Sequence, residues 1–392
     1  MQQIRIDELV ATHARVLSAR LQAHREQLYP PDALKQMRRF TSGEVAKLIG
    51  VNDGYLRKLH LDGRGPEPEI GSNGRRFYST EDIRALRQML EEGAKSPGQY
   101  LPGRREGDHL QVITVINFKG GSAKTTTAAH MAQKCALDGY RVLAIDLDPQ
   151  ASLSALHGVQ PELDLEDGGT LYDAIRYEDP LPFRDLIRRT YVAGLDLVPG
   201  NLDLMEFEHD TPRVLANRSA LSSPFFTRIG EVLATVEADY DLVIIDCPPQ
   251  LGFLTMAALS AATAVLVTIH PQMLDMMSMC QFLLMTSELL NVVAEAGGNM
   301  SYDWLRYLVT RYEPGDGPQS QMVGFMRNLF GEHVLANEVL KSTAISDAGI
   351  TKQTLYEVEK SNFTRSTYER AIESLNAVNA EVEALVQEAW GR

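Results

Sequence analysis

The sequence predicts an α/β protein with a doubly wound, mostly parallel sheet, preceded by a winged helix-turn-helix domain and an N-terminal helix. Three observations support this class. Apolar runs of strand length alternate with helical patterns from residue 110 onward, which is typical of a parallel sheet covered by helices. A glycine-rich turn joins the first run to the first of those helical patterns. Residues before 93 show helical periodicity and one short hairpin pattern.

The composition is that of an ordinary globular protein with room for several domains. The chain has 392 residues, of which 44% are hydrophobic and 23% are charged. Its first residues contain no apolar signal-peptide core, and no uninterrupted apolar stretch reaches the ~18 residues of a membrane helix. Three scattered cysteines have neither disulfide nor metal spacing. We therefore expect a cytoplasmic protein that does not bind a membrane.

Charge is distributed unevenly along the chain. The net charge is −14, yet residues 35–90 contain 11 lysines and arginines against 7 aspartates and glutamates. That segment therefore carries +4 (11 − 7), which leaves −18 for the rest of the chain. A basic segment in an acidic protein suggests a nucleic-acid-binding module near the N-terminus.

The first predicted element is a helix over residues 6–28. Apolar side chains recur there with a period close to 3.6 residues, and Pro30-Pro31 ends the pattern. Such a helix has to cover its apolar stripe, either on its own domain or against the same helix of a second subunit. We favour the second arrangement, because no other element precedes residue 40, and assign residues 1–35 as a dimerisation helix.

Residues 36–92 form the second predicted domain. A capped helix over 42–49 is followed, after a short turn, by a second helix that begins near Asn52. This is a helix-turn-helix pattern. The pair Asn73-Gly74 lies between short extended arms and predicts a hairpin, and a further capped helix follows over 79–90.

Two passages of this domain, 40–51 and 74–83, resemble the winged helix-turn-helix of MerR-type regulators. The resemblance implies that the second helix enters the major groove of DNA and that the hairpin is a wing on the backbone or minor groove. The residues that it assigns to DNA are Tyr55, Arg57, Lys58, Arg75 and Arg76. The alternative is an ordinary helical interaction domain whose arginines are solvated.

A charged segment rich in glycine and proline, 93–108, predicts a linker, and we place the last domain at 109–392. The strands predicted in this domain are 110–117, 141–146, 195–198, 241–246, 264–269, 305–310 and 334–339. The helices predicted there are 124–138, 202–209, 224–237, 253–261, 272–296, 319–330 and 366–389.

The turn after the first strand has the composition of a phosphate-binding loop (P-loop). Its residues are Lys119, Gly120, Gly121, Ser122, Ala123, Lys124, Thr125 and Thr126. Glycines let backbone N–H groups face an anion at the helix N-terminus. Lys124 would reach the β- and γ-phosphates, and the Thr125 hydroxyl would bind Mg²⁺. Two features are unusual: Ala123 replaces the usual glycine, where its methyl group could crowd the phosphates, and a further lysine, Lys119, precedes the glycine pair.

Aspartates follow two of the predicted strands. Asp146 and Asp148 end the strand after the loop helix, and Asp246 ends a later strand. Ligands of an open parallel sheet bind outside the carboxyl ends of its strands. Carboxylates at that edge, beside a P-loop, would hold Mg²⁺ and orient a water molecule, with Asp246 on the metal side. A purely structural role for all three aspartates is the alternative.

The loop and the aspartate passages together resemble the ParA/MinD group of P-loop ATPases. Residues 119–126 are similar to the group's deviant loop, Lys-Gly-Gly-x-x-Lys-Thr, in which the position before the second lysine is free. Residues 146–150 and 246–249 are similar to its second and third motifs. With the N-terminal domain included, the chain resembles the large ParA proteins, and 146–158 resembles the RepA branch found with repABC plasmids.

The resemblance implies ATP and Mg²⁺ as cofactors and gives the loop residues their roles. Lys119 would reach across a homodimer to the partner's ATP, Lys124 would hold the phosphates of its own subunit, and Thr125 would bind Mg²⁺. This explains the additional lysine of the loop.

The remaining roles that the resemblance implies concern water, metal and DNA. Asp148 would position or activate the attacking water, while Asp146 and Asp246 would act on the metal side through water. Lys341 resembles the position of basic residues that bind DNA non-specifically in the ATP state. Arg311 is a weaker candidate for the same role.

In function, the resemblance implies a nucleoid-associated plasmid-partition ATPase. It would dimerise around ATP, bind DNA non-specifically, hydrolyse ATP slowly until a centromere-bound ParB-like protein stimulates it, and repress its own operon through the winged domain.

Three other functions compete with this one. A MinD-like membrane-cycling ATPase needs a basic amphipathic C-terminal helix, whereas 366–390 is rich in glutamate. An iron-protein-like electron carrier needs two cysteines at the dimer interface, and neither Cys135 nor Cys247 fits that position. A nucleotide-responsive repressor without significant turnover would not need Asp148 to position an attacking water, so the presence of Asp148 argues against it.

Overall fold

The computed structural model describes residues 5–28, 35–117, 119–165, 169–217, 223–298 and 300–392. The chain forms two compact units, Met1–Gln36 and Met37–Arg392. In the first unit, α1 (Ile6–Leu28) is present as the periodicity predicted. Its apolar residues Ile6, Val10 and Leu17 are exposed, so pairing through this stripe stays a prediction. The predicted stop at Pro30-Pro31 lies outside the described residues.

The second unit begins with a small domain of helices and short strands. Its helices are α2 (Ser42–Ile49), α3 (Asp53–Leu61) and α4 (Thr80–Glu92). Its strands are β1 (Phe40–Thr41), β2 (Glu69–Ile70) and β3 (Arg76–Tyr78), which form an antiparallel sheet in the order β1–β3–β2. Thr41 and Ser79 form capping boxes at α2 and α4, and these satisfy the first backbone N–H groups of each helix.

The rest of this unit is built on a seven-stranded sheet. Its strands are β4 (Gln111–Ile116), β5 (Val142–Asp146), β6 (Arg188–Arg189), β7 (Leu195–Val198), β8 (Leu242–Asp246), β9 (Ala264–Ile269) and β10 (Trp304–Val309). They lie in the order β10–β9–β4–β8–β5–β7–β6, and every pair is parallel except β6–β7. Asp146 is paired with Asp246 in the β5–β8 register. Both aspartates therefore lie at the same edge of the sheet.

Helices cover both faces of this sheet, so the predicted doubly wound fold class is confirmed. The helices are α5 (Lys124–Asp138), α6 (Ser152–Leu156), α7 (Pro161–Asp164), α8 (Leu171–Ile175), α9 (Phe183–Leu186), α10 (Leu204–Ala216), α11 (Arg228–Ala234), α12 (Phe253–Ala261), α13 (Met273–Glu295), α14 (Gly317–Phe330), α15 (Thr343–Ile350) and α16 (Arg365–Ala389). One core contains residues of α5, α6, α15 and α16, and the other contains residues of α8 to α14. Within β4, Val112 and Ile116 face one core and Ile113 and Val115 the other.

The predicted strand at 334–339 is wrong. Only isolated bridges form, one between Val334 and Tyr307 of β10 and one between Leu340 and Tyr312, which lies beyond that strand. Between them, the backbone N–H groups of Ala336 and Asn337 donate to the carboxylate of Glu381 on α16, at 2.6 and 3.0 Å. These two N–H groups therefore bond to a side chain of α16 and not to the backbone of a neighbouring strand.

Several helices also differ from the prediction. The structure has four short helices, α6 to α9, between 147 and 187, where no element was predicted, and α15 was missed as well. The helix predicted at 202–209 extends to Ala216 and passes through Pro212, although proline usually ends or kinks a helix. The helix predicted at 224–237 is shorter, from Arg228 to Ala234.

The small domain and the sheet pack against each other. Leu137 of α5 and Tyr356 join the core of α2, α3 and α4. The predicted linker, 93–108, contains no helix or strand, but it lies within the same compact unit as the elements on either side of it. The domain boundaries drawn from the sequence stay a prediction.

One helix of the described residues, α13, is long and apolar enough to span a membrane by length and composition alone. Its exposed apolar side chains are Met273, Leu274, Met277, Leu284, Met285, Leu289 and Val292.

Candidate nucleotide-binding site

The glycine-rich loop lies between the carboxyl end of β4 and the N-terminus of α5, as predicted. Gly121 has a φ of 80° and Ala123 a φ of 65°, so the backbone passes through left-handed conformations just before the helix. A Cβ added at Gly120 would meet nothing within 4 Å. The first N–H groups of any helix have no intrahelical acceptor. At this loop they form a site suited to an anion.

Side chains from neighbouring strand ends hold the loop in place. Asn117 Oδ1 accepts from the backbone N–H of Lys119 at 2.9 Å. The hydroxyl of Thr310 donates to the carbonyl of Ser122 at 3.0 Å, and the guanidinium of Arg311 donates to the carbonyl of Gly121 at the same distance. The loop shape is therefore set before any ligand binds.

Lys124, the first residue of α5, is 7% exposed. Its Nζ lies 3.4 Å from the carbonyl oxygen of Lys119, so the side chain folds back over the loop. Burial lowers the pKa of this amine, while the carboxylates of Asp246 and Asp148 act in the opposite direction. A buried ammonium inside an anion-binding loop is suited to hold phosphate oxygens.

Lys119 has a different environment from Lys124. Its side chain is 43% exposed, and its ammonium forms an ion pair with Asp275 in the first turn of α13. The two lysines of the loop are thus separated: one is buried within the loop and one lies at its surface.

Asp246 is fully buried at the end of β8, and neither of its carboxylate oxygens has a hydrogen-bond partner among the described residues. Burial raises the pKa of this carboxyl well above its usual value, and the nearby Asp146 raises it further, whereas Thr125 and Lys124 lower it. A buried carboxylate without a partner costs free energy unless a cation approaches it.

This environment fits Mg²⁺. Oxygen atoms are the ligands that the ion prefers, and it usually keeps several waters and phosphate oxygens. Within the described ranges, no group of three or more His, Cys, Asp or Glu residues is placed to hold a metal by itself. Thr125 and Asp246 would therefore hold Mg²⁺ together with the phosphates of a nucleotide.

The other two predicted aspartates differ from Asp246. Asp146 is buried but satisfied: one oxygen accepts from both the backbone N–H and the hydroxyl of Ser154, each at 2.7 Å. Burial raises its pKa to about 7. Asp148 is partly exposed, and its Oδ1 accepts from the backbone N–H of Gln150 at 2.9 Å. The structure thus places Asp146 as a support for α6 and leaves Asp148 accessible to solvent.

His130, one helical turn beyond the loop, has a structural role that the sequence did not indicate. Its Nδ1 donates to the carbonyl of Thr126 at 2.7 Å, and its Nε2 accepts from the backbone N–H of Leu355 at 3.1 Å. The ring is therefore neutral. Burial lowers its pKa from 6.5 to about 4.

We predict an acid-sensitive contribution to stability from this histidine. Between pH 6.5 and pH 4 the unfolded chain binds a proton that the folded chain does not, so this contribution is complete above pH 6.5 and falls with pH by up to about 1.4 kcal/mol per unit. Unfolding free energies of the wild type and of His130→Gln, measured from pH 7 to pH 4.5, should show a shallower slope in the variant. Equal slopes would contradict the assignment.

A second prediction concerns Ala123. A left-handed φ costs an L-residue roughly 1–2 kcal/mol. Glycine avoids this cost, but it loses more backbone entropy on folding than alanine does, so only part of the gain remains. We expect Ala123→Gly to raise the free energy of unfolding by about 0.5 kcal/mol and to keep ATP turnover. Chemical denaturation would measure the change. Ala132→Gly, inside α5, is the control and should lose about 1 kcal/mol or more; destabilisation by both variants would refute the explanation.

The residues predicted to contact DNA lie on other elements. Tyr55, Arg57 and Lys58 are exposed on α3, and Arg75 is exposed in the hairpin, whereas Arg76 is partly buried. Lys341 is bound to Glu313 at 2.8 Å. Arg311, the weaker candidate, holds the loop as described above.

Sequence reasoning missed Thr268, Thr310 and Asp275. Thr268 is the second-last residue of β9, where its hydroxyl donates to that of Ser122 at 3.1 Å, and Thr310 directly follows β10; both lie at the same sheet edge as the aspartates. The rule that predicted the aspartates therefore also applied to them. Asp275 had no comparable signal, because its contact with Lys119 spans 156 residues.

Comparison with known proteins identifies relatives along the whole chain. Residues 110–295 match a family model described as an AAA domain. Replication protein A of Sinorhizobium fredii is 56% identical over 100% of this chain and 96% of its own length. Protein SopA of Escherichia coli K12 is 30% identical over 83% and 82%. The chromosome partitioning protein ParA of Caulobacter vibrioides is 30% identical over 61% and 84%.

Solved structures agree with the fold. One named Partition Protein matches 97% of this chain and 99% of its own, with a TM-score of 0.61 at 19% identity. The cobyrinic acid a,c-diamide synthase of Mycobacterium smegmatis, solved with ADP and magnesium, matches 62% and 91%, with a TM-score of 0.52 at 28% identity. These findings agree with the cofactors predicted from the loop, ATP and Mg²⁺.

Proposed function

We propose, from the premise that this chain belongs to the ParA family of partition ATPases, that it segregates a plasmid by alternating between nucleotide states. The observation that carries the proposal is that two lysines of one loop lie in different environments. Lys124 is buried where the phosphates of the subunit's own nucleotide would bind, while the Lys119 side chain is 43% exposed and is paired with Asp275, outside that loop. An additional surface lysine is what a second subunit's nucleotide would need.

Within one subunit, Lys124 and the N-terminus of α5 hold the phosphates of ATP, and Thr125 and Asp246 hold Mg²⁺. Held by these two residues, Mg²⁺ would supply positive charge next to the transferred phosphoryl group. Asp148, partly exposed beside the loop, orients the attacking water. Among the described residues, neither carboxylate oxygen of Asp246 has a hydrogen-bond partner, so the group would be available to the cation. Slow hydrolysis would set how long the ATP-bound conformation lasts.

Between two subunits, Lys119 would leave Asp275 and reach the partner's ATP. Asp275, whose side chain is 9% exposed, would keep His270 at 3.5 Å as a neighbour when Lys119 leaves, so its carboxylate would not be left without any polar partner. Dimerisation is thereby linked to ATP, since only the triphosphate offers the oxygens that Lys119 would contact. Hydrolysis, stimulated by a ParB-like partner, would then release the dimer.

DNA would be bound in two ways. The ATP-bound dimer grips DNA non-specifically, through basic residues such as Lys341, which gives binding a steep salt dependence. The domain of α2 and α3 reads an operator through Tyr55, Arg57 and Lys58, with Arg75 and Arg76 of the hairpin on the backbone. The exposure of the α3 residues and of Arg75 supports this role.

The variant Lys119→Ala tests the proposal. We expect ADP binding within a few-fold of wild type, because Lys124 and the loop are intact. ATP-dependent retention of non-specific DNA should fall at least about tenfold, because the dimer no longer forms around ATP. Lys95→Ala, at another exposed lysine, is the control. Wild-type ATP-dependent DNA retention by Lys119→Ala would overturn the proposed bridging role.

A further inference from the structure

A second charged cavity lies away from the loop. It has a volume of about 410 Å³ and lies where α4, the segment 93–108 and the start of β5 meet. Four arginines and a single carboxylate line it: Arg84, Arg104, Arg105, Arg141 and Asp241. In a protein with a net charge of −14, a cavity lined by four cations and one anion requires a physical explanation.

The carboxylate of Asp241 is already fully used. It accepts from the backbone N–H and Nη2 of Arg141, at 2.7 and 2.6 Å, and from the backbone N–H of Arg104 at 3.1 Å. A Cβ at Gly103 would lie 2.7 Å from one of its oxygens, so the backbone closes over it. Asp241 therefore neutralises Arg141 but has no capacity left for the other arginines.

Two of those other arginines, Arg104 and Arg84, have guanidinium donors that are unpaired or weakly paired. Nε of Arg104 is buried and has no hydrogen-bond partner among the described residues. Arg84 donates to the carbonyl of Tyr140 at a long 3.3 Å. Burial lowers the pKa of Arg84, and the nearby Arg141 acts in the same direction, against Asp241 and Asp196. An anion in the cavity would relieve both the burial cost and the repulsion.

Acidic residues outside the cavity do not supply that anion. Glu237 approaches Arg104 at 3.5 Å, and its side chain is 52% exposed. Asp239 pairs with Arg184 at 2.6 Å, and Asp196 accepts from the hydroxyl of Tyr240 at 2.8 Å. Asp239 and Asp196 therefore have partners outside the cavity, whereas the half-exposed Glu237 contacts one cavity arginine, Arg104, at a distance too long for a strong ion pair.

We propose that this cavity binds a small ligand that carries a phosphate group, either orthophosphate or a phosphomonoester. Guanidinium groups match phosphate oxygens in geometry and charge, and the volume lies in the range of small-molecule sites. Because the arginines come from α4, the connecting segment and the sheet, the bound phosphate fixes the small domain on the sheet. The inference does not depend on ATP turnover.

The test measures phosphate binding with the P-loop already filled. Full-length protein is saturated with ADP and Mg²⁺, and orthophosphate or glycerol phosphate is titrated by calorimetry at constant ionic strength, since surface charges are screened by salt. We expect one saturable site per chain for at least one of the two ligands. Tighter binding of one of them identifies the free ion or the ester as the better ligand.

Three variants decide whether that site is the cavity. Arg84→Gln and Arg105→Gln should each weaken phosphate binding about tenfold or more, whereas Arg365→Gln, at an exposed arginine of α16, should leave it unchanged. If ADP binding fails, the same titration of Lys124→Gln reports the cavity alone. Absence of saturable binding, or unchanged affinity in both cavity variants, would overturn the proposal. So would an Arg84→Gln variant that weakens binding of duplex DNA but not of phosphate.

Discussion

Replacing Lys124 by glutamine is expected to abolish measurable ATP turnover, a loss of at least about 10²–10³-fold. Lys124 is 7% exposed, and its ammonium lies against the carbonyl of Lys119 within the loop. Glutamine is one bond shorter than lysine and still donates hydrogen bonds. It lacks the charge that stabilises the transferred phosphoryl group. Release of phosphate from Mg²⁺-ATP at steady state measures the effect.

The control for this experiment is Lys95→Gln, which removes a positive charge from an exposed position in the connecting segment. It should turn over ATP like the wild type. Thermal unfolding of the Lys124→Gln variant checks that the fold is retained. A loss of turnover can then be assigned to the missing ammonium group. Turnover at the wild-type rate in Lys124→Gln would mean that the loop is not the catalytic site.

The second large effect is expected from Arg87→Leu, which should lower the free energy of unfolding by about 3–5 kcal/mol. Arg87 is 5% exposed on α4. Its guanidinium donates to the carbonyls of Leu48, Tyr100 and Leu137, at 2.7, 3.0 and 3.0 Å. Leucine removes all three bonds at once, and a buried carbonyl left without a donor costs about 1–3 kcal/mol.

This arginine connects three parts of the compact unit: the end of α2, the connecting segment and the end of the loop helix α5. Urea unfolding followed by tryptophan fluorescence measures the loss through Trp304 and Trp390, both of which are buried. Arg213→Leu, at a side chain that is 77% exposed, should change stability by less than about 0.5 kcal/mol. A loss below about 1 kcal/mol in Arg87→Leu would show that the three bonds do not hold the small domain in place.

The parts of the fold that the sequence predicted are those with strong local signals. β7 and β9 agree with the predicted 195–198 and 264–269 to the residue, because each is short and mostly apolar and is followed within two residues by a proline. α5 agrees as well, since the loop marks its start and Gly139 its end. The helices α6 to α9 are one or two turns long, which is too short for a 3.6-residue period to be visible.

For the site, the sequence indicated which residues lie at the sheet edge but not how they differ. Asp146 and Asp246 have similar sequence contexts and are paired in the sheet. Only the fold shows that Ser154 satisfies the first, whereas the second has no hydrogen-bond partner in the part of the chain that the structure describes. The ion pair of Lys119 with Asp275, and the arginine cavity, likewise join residues that are distant in the chain.

The central claim, that ATP switches this protein between two modes of DNA binding, is tested most directly by measuring affinity for non-specific and operator DNA in the apo, ADP and ATP states at several salt concentrations. The account predicts non-specific binding that requires ATP and weakens steeply with salt, and operator binding that persists in the apo or ADP state. Equal affinity for both DNAs in all three states would contradict it.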